Sequence, residues 1–339
     1  MINKLFLFLV SLFLIACTNN KFINKTIICF YNCENFFDTI HNPLKNDSEF
    51  TPTGKYNYNT KMYAQKLRNI ATVIQSLEDD KNNTYPAIIG LAEIENRTVL
   101  YDLVHQPEII KLNYKYILYE GNDERGINVA LLYNNSYFHV LSSETIPINI
   151  TGLGGKENTR DLLHVYGILK KDTIHVFVNH WPSRTDGAEL SEPKRISAAM
   201  TLKSKTDSIL KYNPKANIII MGDFNDNPTD KSLNEILKAG ELKQVNQFYN
   251  PYLSLYKVGF GTEKYGQTWN LFDQIIISGN MSQNAVLQYE EAIIYRPDFL
   301  CVHRKGKEGT PLRSFIGNHW LNGFSDHFPV VMYFKEKAK

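Results

Sequence analysis

Residues 217–228 constrain the fold of this chain more than any other stretch, because their pattern changes abruptly from apolar to polar. The sequence NIIIMGDFNDNP begins with the short apolar run 218–221, which is typical of a strand buried on both faces. Asp223 and Asn225 follow, separated by Phe224. If the chain stays extended there, the carboxylate and the amide project to the same side. Gly, Asp, Asn and Pro also end strands in ordinary turns, so this stretch alone leaves a polar site and a simple turn as alternatives.

Further polar clusters stand at the ends of other apolar runs. YNCENFFD follows a strand predicted over residues 26–31, and it contains Asn32 and Glu34. Four more clusters have the same form: GLAEIENR at 90–97, VNHWPSR at 178–184, WNLFDQIII at 269–277 and FSDHFPV at 324–330. Because all of them sit at strand ends, we expect them to gather on one rim of a sheet. Helices are predicted over 60–77, 191–211 and 230–239.

Together these clusters resemble the motifs of the endonuclease/exonuclease/phosphatase superfamily, to which DNase I belongs. The resemblance runs from about residue 27 to about residue 334, with the motifs in the family's order. It implies an α/β fold of the DNase I type, a four-layered α/β/β/α sandwich of two mixed β-sheets flanked by helices.

By that resemblance, a divalent metal binds at the end of the strand predicted over 87–91. Glu93 follows this strand in the motif LAE and is the predicted main metal ligand, with Asn32 and Asp326 as further ligands. Glu95 would point the same way in an extended chain and stays an alternative. Mg²⁺ prefers hard oxygen ligands and keeps several waters, so few carboxylates suffice, and Mn²⁺ and Ca²⁺ are alternatives.

The resemblance also implies the catalytic groups. Asp223 orients or deprotonates the attacking water, and Asn225 donates to the developing phosphorane. Asp273 holds His327 as an imidazolium beside the phosphate, and His180 supports the phosphate from the other side. A buried hydrogen-bonded histidine and a strand-capping aspartate are the structural alternatives. No GxSxG element occurs, which argues against nucleophilic serine catalysis.

Three residues are predicted to contact the substrate. Asn179 belongs to the motif VNHWPSR, and Arg125 and Arg160 stand in loops just before strands predicted over 128–133 and 164–169. A guanidinium group binds phosphate well, although a surface role for either arginine is an equal alternative.

The amino-acid composition excludes some classes of protein but does not by itself indicate a function. The 339 residues are enough to bury a core, and 43% hydrophobic with 21% charged residues is ordinary for a globular protein. The net charge of +2 is too small to indicate nucleic-acid binding by itself. The basic stretch 296–313 and the aromatic stretch 248–260 could contact phosphate, bases or lipid, but solvated-loop and packing roles are the ordinary interpretations.

The N-terminus has the pattern of a targeting segment. Lys4 precedes an apolar run over 5–15, which is too short to span a bilayer but suits a signal-peptide core. The run ends in LIAC, which resembles the lipobox of bacterial lipoproteins and implies acylation of Cys17. The protein would then be lipid-anchored to the bacterial cell envelope, outside the cytoplasm. An ordinary secretory signal with a chance cysteine is the alternative. The predicted organisation is a signal peptide at 1–16, a tether at 17–25 and the catalytic domain at 26–335.

The predicted function is metal-dependent phosphodiester hydrolysis, by an extracytoplasmic endonuclease that acts on DNA or RNA as a monomer. A lipid phosphodiesterase of the phospholipase C or sphingomyelinase type is the alternative substrate class. The inositol phosphatase branch is disfavoured, because its WCDR signature is absent where this chain reads WNLFDQ. A non-catalytic surface binding protein is the alternative of another class. Six intact residues argue against it: Glu93, Asp223, Asn225, Asp273, Asp326 and His327.

Overall fold

The computed structural model describes residues 25–79, 83–153, 158–185, 187–241, 247–283 and 286–336. The strands are β1 (Lys25–Phe36), β2 (Ile88–Ile94), β3 (Tyr114–Leu118), β4 (Asn128–Asn134), β5 (Phe138–Ile146), β6 (Leu162–Leu169), β7 (Asp172–His180), β8 (Asn217–Asp223), β9 (Ala239–Gly240), β10 (Phe248–Tyr249), β11 (Glu263–Tyr265), β12 (Thr268–Asn270), β13 (Asp273–Ser278), β14 (Leu287–Ile294), β15 (Phe315–Ile316), β16 (His319–Trp320) and β17 (Val330–Glu336). The α-helices are α1 (Thr60–Ser76), α2 (Arg97–Val104), α3 (Ala188–Tyr212), α4 (Tyr252–Lys257) and α5 (Gly279–Gln283).

Two large mixed sheets form the centre of the protein. The first has six strands in the order β14-β17-β1-β2-β4-β3, and the second has seven in the order β5-β6-β7-β8-β13-β10-β9. Strand β1 is parallel to β2, and β7 is parallel to β8, whereas their outer neighbours β17, β4, β6 and β13 pair antiparallel. Two hairpins, β11–β12 and β15–β16, lie outside the sheets.

Side chains that alternate between the two faces of each strand pack into three apolar clusters, which join four layers of sheets and helices. Ile28 of β1 and Ile219 of β8 belong to the apolar cluster between the two sheets. Ile27 faces a second cluster that contains α1 and α2, and Ile218 faces a third that contains α3. Because successive side chains of a strand point to opposite faces, each sheet is apolar on both sides. The predicted α/β/β/α sandwich is thereby confirmed, and the apolar run 218–221 of β8 is buried as expected.

One predicted element is wrong. A helix was expected over 230–239, but only a single π-helical turn forms, at Ser232–Ile236. Lys238 then adopts a left-handed φ of 56°, and Ala239–Gly240 pairs with β10 as a short strand. A left-handed residue breaks the helical hydrogen-bond pattern, so the helix cannot continue.

The predicted signal peptide, the acylated Cys17 and the start of the tether lie outside the described residues. Within the parts of the chain that the structure describes, no helix is long and apolar enough to cross a membrane.

Candidate active site

The register of the second sheet places three predicted catalytic residues side by side. Asp223 at the end of β8 pairs with His180 of β7 on one side and with Asp273 of β13 on the other. Gly222 permits this close pairing, because a Cβ there would lie 2.4 Å from the carbonyl oxygen of Asn179. The glycine before the aspartate therefore has a steric reason as well as a turn-forming one.

Asp273 and His327 form the predicted dyad. His327 Nδ1 lies 2.6 Å from Asp273 Oδ2, and both side chains are buried. Burial by itself lowers the pKa of His327, but the charge and hydrogen bond of Asp273 outweigh it and hold that pKa well above its usual value. The imidazole is therefore a cation at neutral pH, with Nε2 directed toward Asp223 at 4.0 Å.

Asp223 is the central carboxylate of the site. Its Oδ2 accepts a hydrogen bond of 2.9 Å from Asn32 Nδ2, and its Oδ1 accepts one of 2.9 Å from the backbone N–H of Asn225. Burial raises its pKa to about 7, with Asp273 adding to the rise and His327 opposing it. A carboxylate with a pKa near the working pH is suited to general base catalysis.

Asn225 lines the same cleft as Asp223, but not for the reason expected from the sequence. The strand ends at Asp223, and Asn225 adopts a left-handed φ of 50° rather than an extended conformation. Its Nδ2 donates to the carbonyl of Trp181 at 3.0 Å, which leaves one amide N–H for a ligand.

His180 is a neutral donor in this site. Burial lowers its pKa far below the usual value, and the nearby Arg160, Arg125 and His327 lower it further. Nε2 lies 3.6 Å from Asp223 Oδ2 and 3.8 Å from Glu93 Oε1, whereas Nδ1 has no hydrogen-bond partner among the described residues. The tautomer with its proton on Nε2, facing the carboxylates, is accordingly favoured.

The side chains of Glu93 and Glu95 lie in different environments. Glu93 has a left-handed φ of 62°, which breaks the extended geometry between them. Glu93 lines the cleft, with Oε2 held by the backbone N–H of Asn35 at 2.7 Å. Glu95 is buried and accepts a bond of 2.6 Å from the backbone N–H of Asp38. The structure thus supports Glu93 over Glu95 as the cleft carboxylate.

The donor set fits a hard divalent cation. Glu93 Oε1 lies 3.7 Å from Arg125 and 3.8 Å from His180, beyond hydrogen-bond reach of either. Asp326 lines the same cleft, and Asn32 lies beside Asp223. Carboxylate and amide oxygens are the ligands that Mg²⁺ and Ca²⁺ prefer.

A second set of donors is closer together. Among the described residues, one donor atom each from Asp223, Asp273 and His327 lies within 4.8 Å of the others. The bond between Asp273 and His327 already occupies two of these donors. The predicted ligands are also partly occupied, because Asn32 Oδ1 accepts from the backbone N–H of Glu34 at 2.9 Å and Asp326 Oδ2 accepts from Arg313 at 2.6 Å.

The three predicted substrate contacts have different environments. Arg125 lines the cleft and is partly exposed, and its Nη1 donates to Asn35 Oδ1 at 3.2 Å. Arg160 lines the cleft but is buried. Asn179 is fully buried: it accepts from the indole N–H of Trp181 at 3.1 Å and donates to the carbonyl of Met221 at 3.0 Å. Substrate contact by Asn179 would require these bonds to break.

Arg313 and Glu34 lie beside the cleft residue Asp326, and the sequence analysis predicted no role for either of them. Arg313 Nη2 donates to Asp326 Oδ2 at 2.6 Å, and its Nε lies 3.5 Å from Glu34 Oε1. The sequence placed Arg313 in a solvated basic stretch. No local signal could have revealed the approach of Arg313 to Glu34, because these residues are far apart in the chain.

A second unpredicted group holds the turn at Asn225. Arg184 Nε donates to the Asn225 carbonyl at 2.7 Å, and Asp226 Oδ1 accepts from Arg184 at 2.8 Å and from Arg195 at 2.6 Å. These hydrogen bonds and ion pairs stabilise the turn that contains Asn225 and Asp226. Asp226 and Arg184 stand inside the motifs NIIIMGDFNDNP and VNHWPSR, so their position near the site was a usable signal.

Two stacked mixed sheets flanked by helices define a DNase I-like fold. A family model confirms this class: the endonuclease/exonuclease/phosphatase family matches residues 27–336, and the chain belongs to that family. Members of this superfamily are typically metal-dependent hydrolases of phosphoesters. The comparison with curated protein sequences gives no match.

Solved structures share the fold at low sequence identity. An endonuclease/exonuclease/phosphatase family protein from Bacteroides thetaiotaomicron is 16% identical, with a TM-score of 0.59 over 94% of this chain and 100% of that chain. TDP2 from D. rerio, complexed with a single strand DNA product, is 14% identical, with a TM-score of 0.54 over 91% and 98%. The human Nocturnin catalytic domain, with bound sulfate anion, is 15% identical, with a TM-score of 0.54 over 92% and 95%.

Proposed function

We propose that this protein is a metal-dependent phosphodiester hydrolase that acts on nucleic acid, as an endonuclease. The observation that carries the proposal is the gap between Asp223 and two histidines. Asp223 Oδ2 lies 3.6 Å from His180 Nε2 and 4.0 Å from His327 Nε2. These pairs are too far apart to bond directly, but an oxygen atom at normal distances of about 2.8 Å from both atoms can bridge each pair. Such an oxygen, of water or of phosphate, contacts the Asp223 carboxylate and a histidine N–H donor.

The residues around this gap provide what phosphodiester hydrolysis requires. Asp223 accepts the proton of the attacking water, since its pKa of about 7 leaves much of it ionised at neutral pH. His327 brings a positive charge and an N–H to the phosphate, and Asp273 keeps it charged. His180 and the free amide N–H of Asn225 donate to phosphoryl oxygens.

A divalent cation completes the proposed site. Glu93, Asn32 and Asp326 would hold it, with Mg²⁺ as the first choice and Mn²⁺ or Ca²⁺ as alternatives. When bound, it acts as a Lewis acid that neutralises charge on the phosphoryl oxygens. Arg125 and Arg160 add positive charge to the same cleft.

Nucleic acid is the proposed substrate class, and the TDP2 structure that contains a single strand DNA product supports it. The test is hydrolysis of plasmid DNA, RNA, sphingomyelin and a chromogenic phosphodiester, each with Mg²⁺ and with EDTA. We expect nicking of DNA or RNA with Mg²⁺ and none with EDTA or in Asp223→Asn. Hydrolysis of sphingomyelin alone would indicate the lipid phosphodiesterase instead, and no hydrolysis at all would favour a binding protein.

The proposed location of the enzyme is the cell envelope, outside the cytoplasm. The acylated Cys17 would anchor it there, and we propose that it is a monomer. The basis is the LIAC sequence at residues 14–17. Cys17→Ser should abolish acylation and release the protein from the membrane fraction, because no other attachment is proposed. Unchanged membrane association of this variant would contradict the anchor.

A further inference from the structure

The cleft is larger than a scissile phosphate requires. Its volume is about 540 Å³, within the range of about 300–1,000 Å³ over which pockets enclose whole small molecules. Besides the catalytic groups, its lining includes Thr159, Arg160 and Lys194. Thr159 and Arg160 precede β6, and Lys194 belongs to α3. The chemistry described above uses Arg160 only as a positive charge, and it uses neither Thr159, Lys194 nor the rest of this space.

Two adjacent residues of this wall have buried donors without acceptors. Thr159 is 5% exposed and Arg160 is 7% exposed. Among the described residues, neither Thr159 Oγ1 nor Arg160 Nε has a hydrogen-bond partner. The other two guanidinium nitrogens of Arg160 have acceptors: Nη2 donates to the Trp181 carbonyl at 2.6 Å, and Nη1 donates to Asp123 Oδ2 at 3.4 Å. A buried donor without an acceptor costs free energy, so an acceptor from a ligand is expected here.

The charge of the wall indicates the kind of acceptor. Lys194 is only 5% exposed and lines the same cleft as Arg160. Two cations and a hydroxyl suit an oxyanion with several oxygens, because charge-assisted hydrogen bonds are the strong ones.

We propose that Thr159, Arg160 and Lys194 form a subsite for a second phosphoryl group of the substrate, one nucleotide away from the scissile phosphodiester. This proposal rests on the proposed function, and it adds that the preferred substrate has another phosphate beside the bond that is cleaved. That phosphate is either the next diester of a strand or a terminal monoester. Both present the same oxyanion to the wall.

Chromogenic nucleotides separate these cases. Thymidine 5′-(p-nitrophenyl phosphate) is compared with the same compound bearing a 3′-phosphate and with one bearing a 3′-linked second nucleotide. We expect kcat/KM to rise on the order of tenfold with either addition, the gain of one charge-assisted contact. A rise with the monoester only would assign the subsite to strand ends, and a rise with both would include internal diesters.

The variants Lys194→Met and Thr159→Val should each reduce this preference toward unity. Lys203→Met is the matched control, because Lys203 lies on the same helix but pairs with Asp207 at 2.7 Å on its exposed side. Melting temperatures confirm that each variant is folded. Equal kcat/KM for all three substrates in the wild type, or an unchanged preference in Lys194→Met, would overturn the subsite.

Binding separates this inference from the proposed function. In the presence of Mg²⁺, thymidine 3′,5′-bisphosphate should bind on the order of tenfold more tightly than thymidine 5′-monophosphate, and Lys194→Met should remove the difference. Such a difference without any hydrolysis would contradict the proposed function and retain the subsite. Hydrolysis without a binding difference would retain the function and contradict the subsite.

Discussion

Asn32 and Asp223, which are 191 positions apart in the chain, are joined by a hydrogen bond of 2.9 Å that links the two sheets. Asn32 belongs to β1 of the first sheet, and Asp223 ends β8 of the second. The amide therefore holds the Asp223 carboxylate, the proposed base, from the opposite sheet. The geometry of the site depends on how the sheets stack as well as on the strand that carries Asp223.

The first prediction concerns this bond. Asn32→Ala should lower kcat/KM on the order of 10²-fold at saturating Mg²⁺, because a hydrogen bond to a charged group is lost and the base is no longer held. Asn217→Ala is the control, since Asn217 begins β8 at its opposite end and donates to the Thr173 carbonyl at 3.2 Å. Equal losses in the two variants would mean that Asn32 acts on folding and not on the site.

The second prediction distinguishes the two glutamates of the β2 motif. Glu93→Gln removes a carboxylate from the cleft and should weaken Mg²⁺ binding on the order of tenfold or more, whereas Glu95→Gln should leave it nearly unchanged. Calorimetric titration of each variant with Mg²⁺ measures the difference. If Glu95→Gln is the damaging change, the metal site lies two residues further along the chain.

The third prediction is a dependence of stability on pH from Glu95. Burial raises its pKa from the ordinary 4.5 to about 8, and the charges of Asp38 and Asp47 add to the rise. The folded state prefers the protonated acid, so its stabilising contribution is complete below pH 4.5 and is lost as pH rises to about 8. Glu95→Gln cannot ionise but keeps an acceptor for Asp38. The variant should therefore gain in melting temperature over the wild type between these pH values, and parallel profiles would contradict the assignment.

The resemblance of the strand-end motifs to a known family predicted the fold and the roles of the rim residues, whereas local signals predicted the strands themselves. The run 218–221 gave a doubly buried strand, and the motifs at strand ends placed Asp223, Asp273 and His327 on one edge. Hydrophobic alternation and strand-end polarity are both readable over a few residues.

What the sequence did not predict depends on backbone conformation and on contacts across the chain. Extended geometry was assumed beyond Glu93 and Asp223, yet Glu93 and Asn225 are left-handed, with φ of 62° and 50°. A left-handed residue reorients the side chains that follow it, which separates Glu95 from Glu93. The ion pair of Arg313 with Asp326 and the unpartnered Thr159 Oγ1 arise only when the loops come together.

The last prediction is that Asp273 and His327 act as one unit. If the carboxylate exists to keep the imidazole charged and oriented, its charge has nothing to act on once the imidazole is absent. Asp273→Asn keeps the shape and an acceptor but removes the charge, and His327→Ala removes the cation. Each change should lower the hydrolysis rate roughly 10²-fold, and the double variant should lose little beyond the worse single one.

A double-mutant cycle on the hydrolysis rate at saturating Mg²⁺ measures this coupling, with melting temperatures to exclude unfolding. The exposed pair of Asp298 and His303, 3.5 Å apart, is the matched control, because screened surface pairs contribute little. Its cycle should show neither a loss of rate nor a coupling. Asp223→Asn should instead abolish hydrolysis while nucleotide binding persists, because the proposed role of Asp223 is to accept the proton of the attacking water. Additive losses at Asp273 and His327 would show that the carboxylate only supports the end of β13, because a residue that acts through the imidazole cannot lose activity a second time after the imidazole is removed.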